Sequence, residues 1–124
     1  MKMKKMCRLI AFALCAVFSA VAFSATPVNI NWTYSAADVI TYGVDGFIVE
    51  KKSEACADTV ASWHELTVVQ NSLRTFTDSA VIPGATYCYR VFSRGVAGKS
   101  AASNTAEKTI LGPPPAPTNV TATG

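Results

Sequence analysis

At 124 residues, with 50% hydrophobic and 15% charged side chains, the chain is too short for more than one ordinary domain and too apolar for a disordered one. Its formal charge of +3 arises at the N-terminus: without Lys2, Lys4, Lys5 and Arg8, seven cations face eight carboxylates, a balance of about −1. That balance excludes an electrostatic case for nucleic acid or an anionic membrane surface as partner.

The four leading cations precede an apolar run, Leu9 to Val21, that is too short to cross about 30 Å of hydrocarbon comfortably. Residues 1–24 therefore read as a secretory signal peptide. Small residues place the cleavage either after Ala22 or after Ser24. A lipid anchor on Cys15 would need a small residue where Leu14 stands. The expected destination is periplasmic or extracellular, with no stable membrane anchor after cleavage. Cys7 and Cys15 leave with the signal, so the exported part keeps Cys56 and Cys88, and in an oxidising compartment these are expected to form one disulfide; two free thiols are the alternative.

Along the remaining chain, alternation at period two predicts strands and no helix. Val28, Ile30 and Trp32 mark the first strand, and residues 35–46 form a connection ending in Val44-Asp45-Gly46. Phe47 to Lys51 is a second strand with Phe47 and Val49 inward, its Lys51-Lys52 end read as solvated. A small, polar loop, residues 53–61, leads to a strand over Trp63 to Val69, and a short strand through Phe76 follows. Pro83-Gly84 is a turn, after which Tyr87, Tyr89 and Val91 alternate on one face of a long strand. Residues 99–110, rich in Ser, Thr and Ala, read as a final edge strand.

The stretch Val81 to Ser103 joins these cues in an order that resembles the fibronectin type III domain. An apolar-x-Pro-Gly-x-x-Tyr corner precedes alternating inward residues, a Gly-rich loop and Gly-x-Ser-x-x-Ser. The resemblance implies an all-β, antiparallel immunoglobulin-like sandwich over residues 25–111. It makes Trp32, Phe47, Val49, Tyr87, Tyr89 and Val91 the structural core, and Tyr87 the corner tyrosine whose hydroxyl bonds to the upstream backbone. It also implies that Cys56 and Cys88 lie near one pole, with Cys88 on the outer face of the sheet. The family opens with a strand before the tryptophan-bearing one, and here no such strand follows the signal. Instead residues 112–124 combine a Pro-rich linker with a segment, Thr118, Asn119, Val120, Thr121 and Ala122, that is similar to that opening strand. Three fates for this tail remain open: the start of a following domain in a tandem array, strand exchange into a second copy, or a tail that is disordered or packed on its own domain.

Signals for chemistry are absent from the sequence. His64 is the lone histidine, no nucleophile elbow or metal-ligand spacing occurs, and Gly98-Lys99-Ser100 lacks the upstream glycine of a phosphate loop because Ser93 occupies that position. No catalytic residue, metal or cofactor is expected. Arg94, Gly95 and Val96 form a candidate binding loop, where the resemblance would place a receptor-binding tripeptide, but Val96 replaces its acidic residue. Tyr34, Tyr42 and Phe92 are candidates for an aromatic patch facing a protein or glycan. The expected function is that of a non-enzymatic interaction or spacer module, the alternative being a filament subunit that self-associates through its tail.

Overall fold

The computed structural model describes residues 25–124; the predicted signal peptide, residues 1–24, lies outside the described residues. In chain order the elements are β1 (Val28–Asn31), α1 (Ala36–Thr41), β2 (Gly46–Lys52), β3 (Trp63–Gln70), β4 (Thr75–Asp78), β5 (Thr86–Gly95), β6 (Gly98–Lys99) and β7 (Ala106–Thr109). All strand pairs are antiparallel. One sheet is the pair β1–β4; the other runs β3–β2–β5, with β6 and β7 following one another along the far side of β5. The two sheets face each other as an immunoglobulin-like sandwich.

Alternation sends Val28 and Ile30 of β1, Phe47 and Val49 of β2, and Tyr87, Tyr89 and Val91 of β5 into a shared core. Full burial of a large apolar side chain contributes about 1.5–3 kcal/mol. Trp32, just beyond β1, is half-buried, its ring centroid 5.6 Å from that of Phe47. A bulge between Val49 and Glu50 shifts the β2–β3 register, so that Thr67 opposes Val49 while Glu65 opposes Glu50. The unpaired Leu66 packs against the core, whereas Trp63, beyond the bulge, lies opposite outward Lys52.

The inward face of β2 continues into a charge. Lys51, 8% exposed, sets its ammonium 2.8 Å from Asp78 Oδ2 of β4 and donates to the Ala80 carbonyl at 2.6 Å. Tyr89 of β5 donates its hydroxyl to the same Asp78 oxygen at 2.7 Å. Both sheets thus meet at one carboxylate. Next to it, the Tyr87 ring lies under the Lys51 ammonium at 4.2 Å, and the Tyr87 hydroxyl accepts from the Ile82 N–H at 3.0 Å. This last bond closes the corner where the chain crosses from β4 to β5.

Three sequence expectations are corrected. Residues 35–46 contain the helix α1, started by Ser35, whose side chain accepts from the Asp38 N–H at 3.2 Å, and followed by Gly43 at φ 59°. Six residues are too few for a helical periodicity to register; the cap and the stop glycine were its visible signal. Lys51 and Lys52 are not a solvated end. Lys52, 3% exposed, donates to the carbonyls of Cys56 and Asp58 and lies over Trp63 at 5.0 Å. The expected final strand is also broken, into β6 and β7. Between them the Ser100 and Ser103 hydroxyls accept the Ser93 and Val91 N–H groups at 3.0 and 2.9 Å, while their own N–H groups return to the Ser93 and Val91 carbonyls, both at 2.9 Å. Side chains replace the missing rungs of the ladder.

Cys56 and Cys88 form a disulfide on the outer face of β5, with a Cα–Cα distance of 4.9 Å. It holds the 53–61 loop over the sheet, where Glu107 of β7 accepts from the Cys56 N–H at 2.7 Å. With 32 residues of separation, reduction is expected to cost about 3–4 kcal/mol in the chain-entropy description, read as a lower urea midpoint in dithiothreitol than without it.

Burial disfavours the Asp78 carboxylate, but hydrogen bonds from Lys51, Tyr89 and the Ala80 N–H, together with the Lys51 charge, outweigh it and hold its pKa below the ordinary 3.8. The unfolded carboxyl takes up its proton first, so this contribution is complete above 3.8 and is lost as pH falls below that value. Asp78→Ala leaves the Lys51 ammonium buried without its anion and is expected to cost about 3–5 kcal/mol. Urea melts across the acid range are expected to show that loss at neutral pH and a shallower acid decline in the variant.

Candidate functional site

β1 and β4 pair only with each other among the described residues, so β1 presents one edge of unpaired backbone groups. That edge borders a groove between the two sheets. At its lower end Thr26, Pro27 and Val28 face Lys108 to Leu111. In the middle, Ile30 and Trp32 face Ser103 to Ala106 across Tyr89 and Val91. At the upper end Trp32 and Tyr34 face Ser100 to Ser103 across Phe47. The groove is therefore floored by core side chains and walled on one side by hydrogen-bonding backbone, the combination that receives an extended peptide as an added strand. The indole N–H of Trp32, which lines it, is buried without a hydrogen-bond partner.

Beyond the upper end, Tyr34, Tyr42 and Val44 line a shallow hollow with Gly95 and Gly98 to Ser100. The structure brings Tyr34 and Tyr42 together but not the third aromatic of the expected patch. The Phe92 ring is buried, with the Arg90 guanidinium 5.1 Å and the Lys99 ammonium 4.1 Å from its centroid. Alternation directs it, with Arg90, to the face of β5 opposite Val91. Arg90 also lies 4.1 Å from the Trp63 ring centroid and pairs with Glu50 at 2.7 Å, so this outer face is a closed stack of cations and rings.

In the candidate loop each residue has a different position. Arg94 pairs with Asp45 at 2.9 Å, Gly95 passes so close to the preceding loop that a Cβ would lie 2.7 Å from the Tyr42 carbonyl oxygen, and Val96, 90% exposed, forms the tip. Val96 at the tip and the exposed Arg94 are the loop residues accessible to a partner. His64 is exposed on β3, and no group of three or more His, Cys, Asp or Glu side chains converges among the described residues. Tail residues 113–124 are exposed and enter no strand; Asn119 stands at φ 56° and Val120 is 83% exposed. Sequence reasoning raised the open edge but not its groove, whose walls come from β1 and β7, far apart in the chain.

These features define an immunoglobulin-like antiparallel sandwich with a groove along the free edge of β1. No family model matches the chain, and no curated protein matches it. Among solved structures it is similar to the twitchin kinase region from C. elegans (Fn31-NL-kin-CRD-Ig26), at 19% identity and a TM-score of 0.46, over 55% of this chain and 11% of that one. The chain thus spans a small part of that protein's length.

Gly95→Ala is expected to cost about 1–3 kcal/mol, because the added methyl meets backbone rather than a yielding side chain. Val96→Ser at the tip should stay within about 0.5 kcal/mol of the parent. Paired thermal melts compare the two.

Proposed function

We propose that the chain is an exported, non-enzymatic module of fibronectin type III type, serving as an interaction or spacer unit alone or within a tandem array. The observation that carries this reading is the Cys56–Cys88 disulfide, which fastens the loop covering Lys52. Such bonds persist in oxidising compartments, in keeping with the basic and apolar pattern of residues 1–24. The sheet order β3–β2–β5–β6 opposite β1–β4, and the Tyr87 hydroxyl bond to Ile82, support the type III assignment. Protein or glycan partners would be met at the groove, the Tyr34–Tyr42 hollow or the Val96 tip. Neither a cofactor nor a nucleic acid enters this reading.

Expression of the whole chain in a bacterial host, followed by fractionation and mass spectrometry, tests it. The expected product lies outside the cytoplasm, begins at Phe23 or Ala25, and resists alkylation at Cys56 and Cys88 until reduced. A full-length product kept in the cytoplasm with both thiols free would overturn export.

A further inference from the structure

The free edge of β1, the groove beside it and the tail are three observations without a shared use within one molecule. We infer that they are used between molecules: residues Thr118–Ala122 of one copy add as an antiparallel strand to β1 of a second copy, with Val120 entering the groove between Ile30 and Ala106. This deepens the reading as an interaction module, on which it rests, by naming the partner.

The tail fits the role by its chemistry. Prolines at 113, 114, 115 and 117 carry no N–H, so a hydrogen-bonded ladder starts at Thr118. In an extended segment Thr118, Val120 and Ala122 share one face, and Val120 is its large apolar side chain, flanked by smaller ones that suit a narrow groove. In the isolated chain Val120 is 83% exposed. Only Asn119, at φ 56°, must leave the left-handed region, which asparagine enters and leaves more readily than most residues.

Geometry directs the tail away from its own β1. Leu111 lies at the lower end of the groove beside Thr26 and Pro27, near the start of β1. A residue before proline is held extended, so residues 112–117 advance by about 3.1 Å each, roughly 19 Å in all. The four residues of β1 span only about 13 Å. A tail climbing along its own edge brings donor-less prolines opposite β1 and carries Thr118 past the end. An antiparallel return would need a reversal within the residues that must pair. A second copy meets neither constraint. Because donor segment and acceptor edge are different surfaces, the contact is heterologous and propagates head to tail.

Light scattering on the exported chain over a roughly hundredfold concentration range tests this, since association follows mass action. The weight-average mass is expected to rise at least twofold, whereas Val120→Asp and a chain ending at Leu111 should stay monomeric. The tail makes no strand contact in the isolated molecule, so both variants are expected to melt like the parent monomer. A synthetic peptide of residues 113–124 should bind the chain ending at Leu111, slow amide exchange at Asn29 to Asn31, and shorten oligomers of the full chain. Oligomers that persist in both variants, a full chain that stays monomeric with no peptide binding, or a monomer whose β1 amides are already protected by its own tail would each overturn the inference. The fractionation experiment stands apart from these outcomes: correct export with a monomeric chain removes the self-association and leaves the module reading intact.

Discussion

The sandwich depends on one buried carboxylate. Asp78 ends β4, in a sheet of only two short strands, and receives Lys51 from β2 and Tyr89 from β5. Apolar contact holds the sheets together but is non-directional, so it selects among nearby registers only through the fit of side chains. A buried carboxylate tolerates no slip in register, since displacement by one residue would strand an anion and an ammonium out of reach of water. The position of β4, and through it that of β1, is therefore specified by three polar side chains.

Opposite in the sheet, the outer face follows another logic. Lys52, Trp63, Arg90, Phe92 and Lys99 alternate cation and ring across β3, β2, β5 and β6, and Glu50 neutralises part of the charge. The disulfide continues this cover by drawing a loop over the end of β5. Both faces of β2 and β5 are thus occupied within the molecule, and among the described residues the surfaces left for partners include the loop tips and the outer flanks of β1, β3 and β4.

Much of the fold was legible because its central strands, β2 and β5, are bounded by turn residues and alternate in side-chain direction. Phe47, Val49, Tyr87, Tyr89 and Val91 could be assigned inward by counting in twos, and the Pro-Gly corner located β5. Lysines 51 and 52 were misread because charge outweighs periodicity in a local reading: Lys51 holds an inward position and finds its anion 27 residues later in sequence, while Lys52 is enclosed by loop carbonyls that composition does not reveal. The same distance hid the groove. The break in the final strand went unseen because Ser100 and Ser103 look like ordinary edge residues until their hydroxyls are found on the β5 amides.

That break has a bearing on aggregation. A long, regular margin is a template for neighbouring chains, and natural sheets blunt it with short or interrupted strands. Here the margin beside β5 is cut into segments of two and four residues, with serine hydroxyls occupying the sites between them, so it offers no uninterrupted row to a stray strand. The molecule is in this sense selective in its adhesiveness: indiscriminate stacking is blocked along the β5 side of the broad sheet, while among the described residues the flanks of β1 and β3 keep unpaired backbone.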